Sequence, residues 1–150
     1  MNTIKLDSLI PYLRVKNAAA AIDFYTKAFD AKELVRITDP VGLIAHAELA
    51  LGTLRLKLAD EMHDQLLIDT QTHTKNPIVL DLIVSDVDAQ VKKAELAGAT
   101  LLRPLSNKFY GYRDASLQDP FGHVWIIGMK LEDVSPNEMQ ERANELYRNA

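Results

Sequence analysis

His46 and Glu48 stand one residue apart in the segment HAEL and are the side chains best suited to chemistry. An imidazole and a carboxylate can each accept a proton or bind a metal ion. Two donors hold a divalent ion only with help from a third. Two interpretations therefore stay open: a hydrogen-bonded pair that lines a cleft, or part of a metal or acid–base site.

Two cations follow in the segment LRLKLAD, at Arg55 and Lys57. Alternate residues of a strand share a face, so these two side chains should point the same way. An ammonium group beside Glu48 raises the electrostatic cost of a bound cation. Lys57 therefore favours an anionic ligand or a salt bridge with Glu48.

An aromatic cluster surrounds a glycine in NKFYGYRD, and comprises Phe109, Tyr110 and Tyr112. It is interpreted either as a loop that covers the edge of the core or as a lid that stacks on a planar ligand. His123 follows Gly122 and is expected to be a turn residue. The remaining histidines, His63 and His73, fall in a polar segment that is typical of a loop.

Strands and helices that could position these residues occur in two similar runs. The first run has a predicted strand at 9–15, a helix capped by Asn17, and strands at 33–37, 43–51 and 54–58. The second has a strand at 79–84, a helix capped by Asp86 and ended by Gly98, and strands at 100–104, 115–118 and 124–128. Equal order at nearly equal spacing indicates an internal repeat of about 69 residues.

A third helix is predicted at the end of the chain, because Ser135, Pro136 and Glu138 form a capping box with proline at the first helical position. The fold class is therefore α+β, in one domain over residues 1–150. Its first βαβββ module spans about 6–60, its second about 77–130, and its C-terminal helix about 135–148.

Strand alternation predicts one sheet face that is rich in polar side chains. Its members are Tyr12, His46, Glu48, Arg55, Lys57 and Asp81. Buried charges are costly unless they are paired or solvated. This face is therefore either open to solvent or the lining of a polar cleft.

Several motifs resemble the vicinal oxygen chelate superfamily, which includes glyoxalase I, extradiol dioxygenases, fosfomycin resistance proteins and bleomycin-binding proteins. They are PYLRV, AIDFYTKAFDA, HAEL, LKLADE, DPFGHVW and EDVSPNEM, and they are most similar to the PhnB-like branch. The resemblance implies that the two modules form an open, cup-shaped mixed sheet with helices packed outside. It also implies a homodimer.

In metal-dependent members of that superfamily, the ligands come from the first and fourth strands of each module. The corresponding places here are Ile10, Lys57, Val79 and Ile126. Alkyl side chains offer no donor atom and an ammonium repels a cation. We therefore expect no metal and no other cofactor.

Composition limits the remaining function classes. The net charge of -4 argues against nucleic-acid or membrane-surface binding, which needs a concentrated basic face. The chain has no cysteine, which excludes disulfides and thiolate chemistry. It shows neither a signal-peptide pattern nor a long apolar run, so a cytoplasmic location is expected.

The function expected from these observations is metal-free binding of a polar or planar small molecule in the cup. Its predicted contacts are Tyr12, His46, Glu48, Arg55, Lys57, Asp81, Tyr110 and Tyr112. One alternative is an enzyme of lyase, isomerase or dioxygenase type that uses a non-standard metal site or acid–base chemistry at His46 and Glu48. A second alternative is an interaction domain with a vestigial cup.

Overall fold

The computed structural model describes residues 4–6, 8–61 and 78–149 of the chain. The chain divides into two compact units, one over residues 1–73 and the other over residues 74–150. Each unit holds one βαβββ module, and the second unit also holds the C-terminal helix. The predicted α+β class and the predicted pair of βαβββ modules are confirmed.

The first module consists of β1 (Tyr12–Val15), α1 (Ala18–Phe29), β2 (Lys32–Thr38), β3 (Ile44–Leu51) and β4 (Leu54–Asp60). Its strands lie in the order β1-β4-β3-β2; β1 runs parallel to β4 and the other neighbours are antiparallel. The first strand was predicted from residue 9 but begins at Tyr12. Pro11 has no N–H for the ladder, although its carbonyl accepts a hydrogen bond from the Lys57 N–H at 3.0 Å.

The second module repeats this plan with β5 (Val79–Ile83), α2 (Val87–Ala97), β6 (Thr100–Asn107), β7 (Tyr112–Gln118) and β8 (Val124–Lys130). The strand order β5-β8-β7-β6 matches that of the first module. Both β6 and β7 are longer than predicted. Their pairing continues past register shifts beside Arg103, where the alternation of side chains that predicts a strand is interrupted.

The helices begin at the predicted caps. The Asn17 side chain accepts a hydrogen bond from the Ala20 N–H at 3.1 Å, and the Asp86 side chain accepts one from the Ala89 N–H at 3.1 Å. These bonds satisfy N–H groups that have no partner inside the first helical turn. The apolar face of α1 is then buried against β1, β3 and β4, while α2 packs on β6, β7 and β8.

The C-terminal helix α3 (Pro136–Arg148) also starts as predicted, with the Ser135 hydroxyl accepting a hydrogen bond from the Glu138 N–H at 3.2 Å. Ala143 is its buried residue. Within the described ranges, no helix is both long and apolar enough to cross a membrane.

Candidate functional site

The first sheet has one packed face and one polar face. Ala47 and Leu49 on β3 are fully buried, and α1 packs against this strand. His46 and Glu48 alternate with them and keep 27% and 30% of their side-chain surface exposed. The two chemically competent side chains therefore share the polar face, as strand periodicity requires.

Four residues of this face form what we call the strand-face network: Tyr12, His46, Glu48 and Lys57. The hydroxyl of Tyr12 shares a hydrogen bond with Nδ1 of His46 at 2.8 Å. Nε2 of His46 lies 3.6 Å from the Glu48 carboxylate, and Nζ of Lys57 lies 3.4 Å from the same oxygen. Strand pairing sets this geometry, because Lys57 is the partner of Tyr12 on one side and of Glu48 on the other.

The network balances its own charge. The ammonium group of Lys57 and the carboxylate of Glu48 form an ion pair. This salt bridge was one of the two alternatives predicted for Lys57. An imidazole between a phenol and a carboxylate can pass a proton between them. The arrangement suits proton transfer or polar contact with a ligand.

The strands that carry the strand-face network also carry two arginines, Arg14 on β1 and Arg55 on β4. Arg55 is exposed on β4, where its guanidinium donates a hydrogen bond to the Leu54 carbonyl at 3.2 Å. Arg14 was not among the predicted site residues, yet it is only 6% exposed and its guanidinium carbon lies 5.9 Å from the centre of the Tyr12 ring. Its place two residues after Tyr12 on one strand was the available signal.

The second module contains a cavity of about 370 Å³, within the size range of small-molecule sites. Its lining residues are Asp81, Ile83, Tyr110, Tyr112, Asp114, Ile126 and Gly128. Neighbouring strands supply them, since Asp81 on β5 pairs with Ile126 on β8 and Gly128 on β8 pairs with Asp114 on β7. Three predicted contacts, Asp81, Tyr110 and Tyr112, therefore meet around one cavity.

The buried carboxylate of this cavity is Asp114, which is 7% exposed. The Tyr110 hydroxyl donates a hydrogen bond to it, and Nζ of Lys108 lies 3.7 Å from its other oxygen. Burial raises the pKa of Tyr110 well above its ordinary value, and the hydrogen bond to Asp114 and nearby negative charge raise it further. Tyr110 therefore stays a neutral donor at physiological pH.

Asp81 is exposed at the edge strand β5 and opens onto the same cavity. Partial burial of its carboxyl raises the pKa of Asp81, and the negative charge of Asp114 raises it further. Both effects disfavour the ionised form. The cavity therefore holds two carboxyl groups whose negative charges repel each other.

The tyrosine rings give the cavity its aromatic wall. The centroids of Tyr110 and Tyr112 lie 6.2 Å apart with planes inclined by 39°. Phe109 packs edge-on against Tyr110 at 5.2 Å. Gly128 pairs with Asp114 on the neighbouring strand, and a Cβ atom at Gly128 would lie 3.3 Å from the Asp114 Cβ.

Asp114 was missed by the sequence analysis, although the internal repeat contained the signal. Glu48 pairs with Lys57 and lies two residues after His46. Ser116 pairs with Ile126 and lies two residues after Asp114. Asp114 thus occupies in the second module the place of His46 in the first.

The side chains at the expected ligand places do not fit a divalent metal. Ile10 precedes β1, Lys57 is paired with Glu48, and Val79 and Ile126 are alkyl residues of β5 and β8. Among the residues that the structure describes, no group of three or more His, Asp or Glu side chains is placed to bind a metal ion. We therefore derive no chemical step through a metal.

The histidine of the second module is a buried turn residue, as predicted. His123 lies in the turn before β8 and is 5% exposed, with its N–H donating a hydrogen bond to Asp119 at 3.0 Å. Trp125, also buried, donates from Nε1 to the same carboxylate at 3.0 Å. His63 and His73 lie outside the described residues.

Comparison with known proteins gives consistent matches. Residues 5–127 match the family model for the Glyoxalase/Bleomycin resistance protein/Dioxygenase superfamily. An uncharacterised protein of Mycobacterium bovis is 39% identical over 136 residues, which cover 89% of this chain and 90% of the relative.

Two solved structures share the fold at low sequence identity. A glyoxalase/bleomycin resistance protein/dioxygenase family enzyme from Burkholderia phytofirmans has a TM-score of 0.67 at 24% identity, and the match covers 81% of this chain and 97% of that one. A PhnB protein from Bacillus cereus, described as a putative 3-demethylubiquinone-9 3-methyltransferase, has a TM-score of 0.63 at 15% identity, with 82% and 99% covered.

Proposed function

Because the chain belongs to the Glyoxalase/Bleomycin resistance protein/Dioxygenase superfamily, we propose that it binds a polar or planar small molecule without a metal ion. The observation that carries this proposal is the cavity of about 370 Å³ in the second module. Two tyrosines and two carboxyl groups converge on it, which is the mixture of contact area and directed polar groups that small-molecule sites use.

Binding without chemistry is favoured by the side chains at the expected metal places. A superfamily member that activates its substrate on a metal needs imidazole or carboxylate donors there. Ile126 lines the cavity instead, where it offers apolar contact. The mechanism is then retention of the ligand by shape, stacking and hydrogen bonds.

Three further assignments belong to this proposal. We place the protein in the PhnB-like branch, which the motifs AIDFYTKAFDA and EDVSPNEM and the fold of the Bacillus cereus protein support. We also propose a homodimer, following the superfamily resemblance, and a cytoplasmic location. Light scattering on a sizing column tests the assembly, and a monomeric mass would contradict it.

The binding function is tested by thermal-shift screening of planar aromatic compounds, followed by crystal soaks with the hits. A ligand of the folded state raises the melting temperature by mass action. We expect density in the cavity against the rings of Tyr110 and Tyr112, and weaker binding in Tyr112→Leu. The matched control is Tyr147→Leu, because Tyr147 is 69% exposed on α3. Ligand density away from the cavity, or equal losses in the two variants, would contradict the proposal.

A second candidate function rests on the strand-face network of the first module. The 2.8 Å contact between Tyr12 and His46, backed by Glu48, favours acid–base chemistry such as isomerisation beside a carbonyl, with Lys57 stabilising the oxyanion. Incubation of each bound compound with the protein, followed by product analysis, separates the two functions. Turnover that His46→Ala abolishes would replace the binding proposal by the enzymatic one.

A further inference from the structure

We propose that the ligand of the second-module cavity is a planar organic cation, bound between the Asp81 carboxylate and the tyrosine rings. This inference rests on the proposed binding function and adds the charge class of the ligand. It differs from the sequence-based expectation for the Lys57 region, which favoured an anion.

The described lining of the cavity carries negative charge alone. Its ionisable side chains are two carboxyl groups and two phenols, and the remaining residues are isoleucines and a glycine. Lys108 lies outside the lining, with its Nζ 3.7 Å from Asp114. A ligand in the cavity therefore meets an excess of acceptors.

The two carboxyl groups differ in their hydrogen-bond and ion-pair partners. Asp114 already has the Tyr110 hydroxyl and the ammonium group of Lys108 as partners. Asp81 takes part in no hydrogen bond or ion pair with the described residues, and the negative charge of Asp114 disfavours its ionisation. A cationic donor placed at Asp81 removes that repulsion and supplies the missing partner.

The remaining lining selects for a flat ligand. Tyr110 and Tyr112 are inclined by 39° at a centroid distance of 6.2 Å, so each ring presents a face or an edge to a flat group beside it. Aromatic faces attract cations as well as other rings. Ile83 and Ile126 add apolar surface on the adjoining strands.

The first module provides a contrast in the same fold. Lys57 there holds the place that Ile126 holds in the second module, and its ammonium group lies 3.4 Å from Glu48. The carboxylate of that module therefore has its own cation. In the second module this place is held by the alkyl side chain of Ile126, so the positive charge can be supplied by the ligand.

The test uses three planar probes of nearly equal shape and different charge: benzamidinium, benzamide and benzoate. Each is titrated into the full chain near pH 7, and amide chemical shifts of Gly128 and Tyr112 locate the binding. We expect benzamidinium to bind about tenfold more tightly than benzamide, as a charge-assisted hydrogen bond allows, with benzoate the weakest. Added salt should reduce the difference.

The variant Asp81→Asn separates charge from shape. It should bring the affinities for benzamidinium and benzamide to within about twofold, because an exposed charge contact is lost and the stacking surface remains. Glu95→Gln removes one negative charge from an exposed position on α2 and should keep the tenfold preference. A single cooperative melting transition in both variants shows that the fold is intact.

The outcomes distinguish the inference from the proposed function. Equal affinity for the three probes, or an unchanged preference in Asp81→Asn, overturns the cation inference while the binding function stands. Failure of all three probes to bind at millimolar concentration overturns both. Tighter binding of benzoate would assign the opposite charge class.

Discussion

Individual aspartates serve two different purposes in this chain. Asp60 is 5% exposed and accepts hydrogen bonds from the N–H groups of Ala18 at 2.9 Å and Ile44 at 2.7 Å, so it ties α1 to β3. Its oxygens are used within the fold. Asp81 is exposed beside a cavity and meets another carboxyl group there. The first residue is part of the scaffold, whereas the second has hydrogen-bonding capacity to offer a ligand.

The raised pKa of Asp81 makes a prediction about stability. A carboxyl group whose folded-state pKa is raised stabilises the fold when protonated, and this contribution is lost as pH rises through the raised value. Asp81→Asn should therefore gain stability relative to the parent near pH 7 and lose that gain near pH 3. We expect a difference below about 1 kcal/mol, since the side chain is exposed to solvent screening.

Denaturant unfolding of both proteins at the two pH values measures this difference. Asp23→Asn on the exposed side of α1 is the control, because it removes one exposed carboxyl group that does not line the cavity. A gain for Asp81→Asn that is larger at low pH than at neutral pH would contradict the prediction.

Residue-scale prediction from sequence succeeded where a simple period applied. Alternation along β3 placed His46 and Glu48 on one face and Ala47 and Leu49 on the other. It could not reveal that Tyr12 bonds to His46, because that contact depends on the parallel pairing of β1 with β4. Alternation also placed Arg14 on the face of Tyr12, but its burial could not be predicted, because burial of a cation has no sequence pattern of its own.

At the scale of elements, the turn between β6 and β7 is held by the segment that leads into α3. The carbonyl of Gly111 accepts hydrogen bonds from the N–H groups of Leu131 at 2.8 Å and Glu132 at 3.2 Å. Arg142 on α3 donates to the Phe109 carbonyl at 3.1 Å and to the Glu132 carboxylate at 2.5 Å. The C-terminal helix therefore helps to position the turn that carries Tyr110.

Gly111 gives this arrangement a sharp test. Its φ is +89°, and a Cβ atom there would lie 2.6 Å from the Glu132 carbonyl oxygen. Gly111→Ala should cost about 1–2 kcal/mol for the left-handed backbone and a further 1–3 kcal/mol for the clash. Gly42→Ala is the matched control, since Gly42 has a φ of +90° and no atom within 4 Å of its Cβ position.

Denaturant unfolding of the two glycine variants separates the backbone cost from the contact cost. We expect both variants to be destabilised and Gly111→Ala to lose clearly more. Equal losses would mean that the turn moves away from Glu132 easily, and the proposed support of Tyr110 by the C-terminal segment would then be wrong.

Element-scale prediction from sequence recovered every strand and helix of the two modules but not all of their ends. Helix starts were accurate because Asn17, Asp86 and Ser135 act locally on the next turn. The ends of β6 and β7 were missed because hairpin pairing continues through irregular register beside Arg103. Local chemistry predicts where an element starts, while tertiary pairing decides how far a strand extends.

At the scale of the whole molecule, the two modules share one topology and differ in their polar faces. The place of Tyr12 in the first module is held by Asp81 in the second, and that of Lys57 by Ile126. The repeat therefore supplies two differently charged surfaces on the same framework. Sequence spacing predicted the framework, whereas the charge character of each surface emerged from pairing across strands.

The same equivalence governs metal binding, because a chelating superfamily member draws its donors from both modules. Here the four places offer three alkyl groups and one ammonium, so none of the four supplies a normal ligand. Protein that is incubated with zinc, manganese, iron or nickel ions and then dialysed should retain far less than one equivalent in elemental analysis. Its melting temperature should not rise with the added ions.

His46→Ala provides the decisive control for this expectation, because His46 and Glu48 are the strongest donors on the first sheet. Loose association at the surface would survive the substitution, whereas a genuine centre would lose its metal. Stoichiometric metal that disappears in His46→Ala would show that a third donor completes a non-standard site. Such a centre would also make the ammonium of Lys57, 3.4 Å from Glu48, move away from the carboxylate that the ion requires.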